Sequence, residues 1–325
     1  MLLAGDVGGT TTRLGLFERG LPRPRPILTH VYSTHTFSGF TELLDAFARD
    51  VHQPFALDAA VLGVAGPVVD NSARLTNIPW SIDAAAITAR FGATRVCLLN
   101  DLEAMGHSVE VLDQDEITWL HEGAYEAHGN AAVIAAGTGL GEALLHRVDR
   151  KLVPMASEGG HADFAARSDR DIELVRMLRE RYGRASVEHV VSGRGLLNLH
   201  RFTHRGGECD VVAGVADEEA PARISAAGLT GRCQGCVEAL RMLVTAYGAE
   251  AGNLALRAVA RAGVYVGGGI APKILPALRD GTFMAAFLDK GEMADLVARV
   301  PVKVILNADA GLLGAAVHAQ SLLLD

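Results

Sequence analysis

The first residues place a tight glycine turn between two apolar runs, and this stretch constrains the fold more than any other. Residues 2–4 are apolar, an acid follows at Asp6, Gly8 and Gly9 form the turn, and residues 14–17 resume the apolar pattern. This order predicts a strand, a turn and a second strand, which together form a β-hairpin. Glycines let the backbone approach a ligand closely, and successive N–H groups can bind a phosphate. An ordinary hairpin has the same pattern, so both interpretations stay open.

Length and composition exclude several classes of protein. A chain of 325 residues is long for one core and is typical of two lobes, and 49% hydrophobic residues with only 5% aromatic ones favour a helix-and-sheet enzyme. The net charge of −8 argues against a nucleic-acid partner. No apolar run approaches the ~18 residues that span a bilayer, and no signal peptide is recognisable at the start. Four cysteines do not make a disulfide scaffold. We therefore expect a cytoplasmic protein without a membrane partner.

Buried strands alternate with helices along the chain. The strands are predicted at residues 59–65, 96–99, 131–136, 262–266 and 302–306, and the main helices at residues 40–51, 169–182, 192–203 and 237–262. Gly248 and Gly252 allow close packing of the long helix, and Asp309 is predicted to cap a terminal helix over residues 310–322. Strands separated by helices indicate a mainly parallel α/β sheet.

Three strands end in glycine turns, near residues 8, 139 and 268. None matches the P-loop pattern or the Gly-x-Gly-x-x-Gly dinucleotide pattern. Two of the turns lie at corresponding places in the two halves of the chain. This indicates a nucleotide held between two lobes by one turn from each, with the third turn beside the base.

Several polar residues are candidates for chemistry. Asp101 follows a buried strand, where it can serve as a general base or as the N-cap of a helix. Glu158 and His161 flank two glycines; as metal ligands they are too few for a structural zinc site, and hydroxyl recognition fits them better than metal binding. A surface turn with a stray histidine has the same pattern, so that alternative stays open. Glu188 alone is typical of a solvated helix residue.

Six motifs in this order closely resemble bacterial glucokinases, which belong with the hexokinases to the actin-like ATPase superfamily. The resemblance covers the whole chain and rests on the Asp6–Thr10 turn, Leu99-Asn100-Asp101, Gly137-Thr138-Gly139, Ser157-Glu158-Gly159-Gly160-His161, Ser192-Gly193 and Gly267-Gly268-Gly269-Ile270. It implies a two-lobed, RNase H-like α/β fold with nucleotide and sugar in the interlobe cleft, and closure on sugar binding. The implied small lobe is residues 1–110 plus 303–325, and the large lobe is residues 111–302.

The resemblance also implies the activity and the residues that carry it. The enzyme would phosphorylate the 6-hydroxyl of glucose from ATP with Mg²⁺ and form a homodimer. Asp101 would be the catalytic base, and the sugar ligands would be Asn100, Asp101, Glu158, His161 and Glu188. ATP would be held by Gly5, Asp6, Val7, Gly8, Gly9, Thr10, Gly137, Thr138, Gly139, Gly267, Gly268 and Gly269. Asp6 would position Mg²⁺ through water.

The sequence departs from the family pattern at a few positions. Thr11 and Thr12 stand where an asparagine and a small residue are expected, which leaves the side-chain contacts of the first turn open, and His189 is unusual.

Two alternative functions are a repressor–kinase (ROK)-type kinase for another hexose or an N-acetylated amino sugar, and an actin-like ATPase without a sugar substrate.

Cys233 and Cys236 have zinc-like spacing, with His200, His204 and Cys209 upstream. The ROK group carries a structural zinc near its sugar site. However, this chain has only one such cysteine pair, and it leads straight into a helix. Cysteines three apart on a helix commonly pack in a core, so the pair is predicted to hold no metal.

Overall fold

The computed structural model describes residues 1–52, 55–75, 78–205, 207 and 209–324. These residues form two compact units. The first unit is Met1–Asp113, Lys151–Ala156 and Asn307–Asp325, and the second unit is Gln114–Arg150 and Ser157–Leu306.

Strands and α-helices alternate through most of the described chain. The strands are β1 (Leu2–Val7), β2 (Thr11–Glu18), β3 (Arg25–Ser33), β4 (Ala59–Val64), β5 (Val68–Val69), β6 (Ser72–Arg74), β7 (Ser81–Asp83), β8 (Val96–Asn100), β9 (Ile117–His121), β10 (Ala131–Ala136), β11 (Leu140–Val148), β12 (Lys151–Ser157), β13 (Gly263–Gly267) and β14 (Val302–Ile305). The helices are α1 (Phe40–Asp50), α2 (Ala84–Phe91), α3 (Asp101–Gly106), α4 (Asp169–Tyr182), α5 (Gly193–His204), α6 (Ala220–Thr230), α7 (Gln234–Ala258), α8 (Leu275–Leu278), α9 (Thr282–Leu288), α10 (Ala294–Val297) and α11 (Ala310–Ser321).

The main sheet of the first unit has the order β3-β2-β1-β4-β8. β1 and β2 form the predicted antiparallel hairpin, while β1, β4 and β8 run parallel. β4 is apolar and buried along its whole length, as expected of a parallel strand with both faces covered. Successive side chains of β1 point to opposite faces. Accordingly, Leu3 packs with α1 residues, and Leu2 packs with α11 residues.

Four strands of the second unit repeat this arrangement in the order β11-β10-β13-β14, and β9 pairs antiparallel with β14. β10 and β11 form an antiparallel hairpin, and β10, β13 and β14 run parallel. Since β14 pairs with β13, residues 303–306 group with the second unit and not with the first, where the sequence boundary had placed them.

The long helix α7 begins three residues before the predicted position 237 and ends at Ala258. Its two internal glycines face α9. A side chain at Gly248 would overlap the backbone of Phe283, and a side chain at Gly252 would overlap the backbone oxygen of Phe287. The prediction that these glycines permit close helix packing is therefore confirmed.

Two helix starts show how local signals succeed and fail. α4 has the predicted bounds, because the Ser168 side chain accepts a hydrogen bond from the Asp171 amide. The prediction that the Asp309 side chain caps α11 is wrong: it makes no capping hydrogen bond, and its carboxylate lies 3.1 Å from the Arg13 guanidinium. Within the described residues, no helix combines the length and apolar character needed to cross a membrane.

Candidate active site

The first glycine turn joins β1 to β2 at the carboxyl end of β1. The Gly8 amide donates to the Thr11 carbonyl oxygen over 3.0 Å, which closes the turn. A Cβ at Gly8 would lie 2.9 Å from that same oxygen, so only glycine fits this close approach. Thr10 is exposed at the tip. Gly5 and Val7 are buried within β1, the strand that leads into the turn.

Two buried hydroxyls brace this turn. The Thr12 and Thr34 hydroxyl oxygens lie 2.9 Å apart, and Thr34 Oγ1 donates to the Gly8 carbonyl oxygen over 2.9 Å. The Thr34 amide also donates to the Thr10 carbonyl oxygen. The unexpected Thr12 thus points into the protein, where it supports the turn through Thr34. No sequence signal marked Thr34, which comes from a different segment.

Asp6 lies in register with Arg13 on the neighbouring strand, and their charged groups are 3.8 Å apart. Arg13 also pairs with Asp309, so one guanidinium serves two carboxylates. Burial raises the pKa of Asp6; Arg13 opposes this shift and Asp309 adds to it. The Asp6 carboxylate lies against the start of α11, 3.5 Å from the position a Gly311 Cβ would take. An added cation would therefore stabilise the ionised form of Asp6.

Asn100 is the last residue of β8 and Asp101 follows it, at the same sheet edge as the first glycine turn. Val7, Val64 and Asn100 are aligned across the parallel strands β1, β4 and β8. Asn100, and not Asp101, is the N-cap of α3: its Oδ1 accepts from the Leu102 and Glu103 amides, and Glu103 completes a capping box.

While its Oδ1 caps the helix, Asn100 donates from Nδ2 to the Gly66 carbonyl oxygen over 3.4 Å. Asp101 is the first residue of α3, half-buried, with Oδ1 accepting from the Leu102 amide over 2.9 Å. Its position at the carboxyl end of a parallel strand is where open α/β sheets bind ligands.

The second glycine turn, Gly137-Thr138-Gly139, joins β10 to β11 and is held from several sides. The Gly137 amide donates to the Gly139 carbonyl oxygen, and the Gly193 amide at the start of α5 donates to the Gly137 carbonyl oxygen, both over 2.8 Å. The Glu188 carboxylate accepts from the Leu140 amide over 3.0 Å. A side chain at Gly139 would overlap this carboxylate, whereas the space beside Gly137 is open.

The third turn, Gly267-Gly268-Gly269, lies beside the second because β10 and β13 pair in parallel, with Ala135 opposite Gly267. Gly268 has φ +82°, and a side chain there would overlap the Ala136 carbonyl group.

The buried Tyr247 hydroxyl lies between the two strands. It accepts from the Ala136 amide over 3.2 Å and lies 3.3 Å from the Ile134 and Gly267 carbonyl oxygens. Burial raises its pKa, so the hydroxyl stays protonated. Tyr247 holds the ends of both strands, and no local pattern in the sequence marks it.

Glu158 immediately precedes a 3₁₀ turn that ends at His161, and a Glu158 carboxylate oxygen lies 3.9 Å from His161 Nε2. Both side chains are more than half exposed, at 54% and 59%. The Glu188 amide donates to the Gly160 carbonyl oxygen over 2.9 Å. The structure of the second unit therefore ties Glu188 to both the Glu158–His161 turn and the second glycine turn.

The buried Glu142 lies directly beneath the Glu158–His161 turn, since a Cβ at Gly159 would overlap its carboxylate. Its Oε2 is 3.8 Å from the Arg257 guanidinium, and its Oε1 has no hydrogen-bond partner among the described residues. Burial and the nearby Glu250 raise the pKa of Glu142 to about 7, against the opposing charge of Arg257. Its position on β11 carried no sequence signal for this role.

Two hairpins with glycine turns, each on a sheet with parallel neighbours, are the arrangement of the actin-like ATPase fold. A glucokinase from an Antarctic psychrotroph has the same fold, with a TM-score of 0.83, 28% identity and coverage of 98% of each chain. A ROK family glucokinase from Streptomyces griseus, solved with glucose and AMPPNP, shares the fold with a TM-score of 0.67 and 21% identity, covering 98% of this chain and 99% of that one. The chain therefore has the two-lobed, RNase H-like α/β fold predicted from the resemblance.

The family model of glucokinase matches residues 3–322. The glucokinase of Synechocystis sp. is 37% identical over 344 aligned positions, which cover 98% of this chain and 97% of that protein. The chain belongs to the glucokinase family, and it transfers a phosphoryl group from ATP to the 6-hydroxyl of glucose. The predicted family and enzyme activity are thus confirmed. They take the place of the two alternatives, a kinase for another sugar and an actin-like ATPase without a sugar substrate.

Proposed function

We propose that Asp101 is the general base of this glucokinase. The observation that carries the proposal is its place at the carboxyl end of β8, in line with the edge that bears the first glycine turn. A sugar hydroxyl is a poor nucleophile, and a positioned carboxylate accepts its proton as it attacks the γ-phosphorus of ATP. General bases of this kind contribute about 10²–10⁴-fold in rate.

The proposed sugar ligands differ in which of their polar atoms remain available to bind a sugar hydroxyl. The Asn100 Oδ1 caps α3, so Asn100 would bind a hydroxyl through Nδ2. Glu158 and His161 are exposed and adjacent, and they offer a carboxylate acceptor and a ring donor or acceptor. Glu188 Oε2 holds the Leu140 amide, which leaves Oε1, 3.5 Å from Arg194, for a hydroxyl. In this proposal Glu188 links sugar binding to the second phosphate turn.

The three glycine turns are the proposed ATP ligands. Backbone amides of Gly8, Gly9 and Thr10 in the first unit, and of the second turn in the second unit, would contact the phosphates. The turn at Gly267–Gly269 would lie near the adenosine. Catalysis would then rest mainly on alignment and charge neutralisation.

The donor set near the first turn fits Mg²⁺. Asp6 and Asp309 are hard oxygen donors, and Asp6 would reach the ion through water. When bound, Mg²⁺ neutralises charge on the ATP phosphates. A Mg²⁺ titration of the rate tests this role: Asp6→Asn should raise the Mg²⁺ concentration for half-maximal rate. An unchanged titration would remove Asp6 from the site.

The homodimer and the cytoplasmic location implied by the family stay predictions. Light scattering of the purified protein tests the first, with a mass of twice 34.2 kDa expected. A mass of 34.2 kDa at enzyme concentrations used in assays would contradict it.

The test of the proposed base is Asp101→Asn. We expect kcat to fall by about 10²–10⁴-fold while the Kd for glucose stays within a few-fold, because the base acts in the chemical step. The matched control is Glu103→Gln on the same helix, since glutamine still supports a capping box. Turnover near the wild-type rate in Asp101→Asn would place the base elsewhere.

A further inference from the structure

A cluster of histidines and cysteines lies where the end of α5 meets the start of α7. His200 and His204 occupy the last turn of α5, one helical turn apart. Cys209 follows α5, Cys233 is the N-cap of α7, and Cys236 lies in the first turn of α7. The prediction that Cys233 and Cys236 pack together in a core is therefore only half correct. Cys236 is fully buried, but Cys233 is half-buried and faces His204 and Cys209.

The distances within this cluster are those of a metal site. One potential ligand atom from each of His200, His204, Cys209 and Cys236 lies within 4.8 Å of all the others. Cys233 Sγ is a further neighbour, 3.3 Å from His204 Nε2 and 3.8 Å from Cys209 Sγ. Around a tetrahedral Zn²⁺, bond lengths of about 2.3 Å to sulfur and 2.0 Å to nitrogen give separations of about 3.8 Å between sulfurs and 3.5 Å between sulfur and nitrogen.

The histidine rings are already oriented for ligation. His204 Nδ1 lies 2.8 Å from the His200 carbonyl oxygen; as donor there, it leaves Nε2 as the lone-pair nitrogen, directed at Cys233. A side chain at Gly235 would overlap the His204 ring, which explains the glycine immediately before Cys236. His200 is 5% exposed, and its Nε2 has no hydrogen-bond partner among the described residues. A buried nitrogen in this state is costly unless something binds it.

We propose that this cluster binds one Zn²⁺ as a structural ion. His204, Cys209 and Cys236 are three of its ligands, and either Cys233 or His200 completes the tetrahedron. Mixed thiolate and imidazole donors without carboxylates favour zinc over magnesium or calcium. The ion would fasten the end of α5 and the start of α7 to Cys209. The start of α5 contacts the second glycine turn through Gly193, so the metal would fix the far end of a helix that supports the proposed ATP site.

The first experiment measures metal in the intact protein. The chain is produced with zinc in the medium, desalted without chelator, and analysed by elemental mass spectrometry, with about one zinc per chain expected. Replacement by Co²⁺ should give the intense visible bands of tetrahedral cobalt and a thiolate-to-cobalt charge-transfer band. A chelator should remove the ion and lower the thermal unfolding midpoint. These readings need no variant and do not depend on turnover.

Variants then locate the ion. The double substitution Cys209→Ser with Cys236→Ser should lose the zinc, whereas Cys97→Ser, at the remaining cysteine in the first unit, should retain it. Of His200→Ala and Cys233→Ser, the variant that loses zinc identifies the fourth ligand. A zinc-free wild-type protein, zinc retained in the double variant, or a Cys209–Cys233 disulfide in place of the metal would each overturn the proposal.

Discussion

The hairpins β1–β2 and β10–β11 have the same strand arrangement and end in similar glycine turns, yet they are supported by different chemistry. Neutral hydroxyls of Thr12 and Thr34 hold the first turn. The second turn is held by the Glu188 carboxylate and by the amide of Gly193. The two turns can therefore be perturbed independently, although we propose that both hold the phosphates of one ATP.

Asp6 in the first unit and Glu142 in the second also differ in how their charges are compensated. Asp6 has Arg13 within 3.8 Å and lies beside the start of a helix, so its charge has partial compensation. Glu142 is almost fully buried, and its nearest guanidinium, Arg257, is shared with Glu250. Burial raises the pKa of both acids, but Asp6 shares with Asp309 a guanidinium on the neighbouring strand, whereas Glu142 competes with Glu250 for Arg257.

The largest effect is expected at the third turn, which adjoins the second. Gly268→Ala forces a side chain into the φ +82° conformation and against the Ala136 carbonyl group. We expect a loss of about 2–5 kcal/mol in the free energy of unfolding, from backbone strain and overpacking together. Chemical denaturation measures it. Gly269→Ala is the control, because nothing lies within 4 Å of its added Cβ; equal losses in both variants would contradict the packing argument.

The next effect is a pH dependence that arises in the second region. The pKa of Glu142 is raised from 4.5 to about 7, so the folded state holds a proton there that the unfolded state releases. Its contribution to stability is full below pH 4.5 and is lost as the pH rises through 7, a change on the order of 3 kcal/mol.

Glu142→Gln tests this assignment, because it removes the ionisation but keeps the shape. The variant should match the wild-type unfolding midpoint at pH 4 and exceed it at pH 8. Glu158→Gln, at an exposed acid nearby, should leave the pH slope unchanged. A wild-type slope that survives in Glu142→Gln would assign the titration to another group.

A smaller effect is expected at the first turn. Thr34→Val removes the hydroxyl that joins Thr12 to the Gly8 carbonyl oxygen, and it should cost about 1–3 kcal/mol in unfolding free energy and raise the KM for ATP. Thr36→Val, in the same 3₁₀ turn but at an exposed hydroxyl, should change stability by less than about 0.5 kcal/mol. If the KM for ATP changes in Thr36→Val but not in Thr34→Val, the bracing role of Thr34 is wrong.

Local patterns were enough to predict the turns and several helices. The three glycine turns follow apolar runs, and α4 is bounded by a serine cap and a glycine, so both could be recognised within short windows. The supports could not be recognised in this way. Tyr247 lies 111 residues from Ala136, and Thr34 lies 26 residues from Gly8, and such contacts exist only after folding.

Pairwise spacing also misled at two places. Asp309 is in the N-cap position of α11, but its side chain makes no capping hydrogen bond and lies 3.1 Å from the Arg13 guanidinium. Cys233 and Cys236 had the spacing of a helical core pair, whereas Cys233 precedes the helix and meets residues of two other segments.

The central claim is that the Asp101 carboxylate receives the proton of the glucose 6-hydroxyl. It is tested most directly by a crystal structure with glucose and a non-hydrolysable ATP analogue, in which the distance from the carboxylate to the sugar O6 is measured. The account predicts a separation of about 2.6–3.2 Å, within hydrogen-bond reach. An O6 atom hydrogen-bonded to a different acid, with Asp101 out of reach, would contradict it.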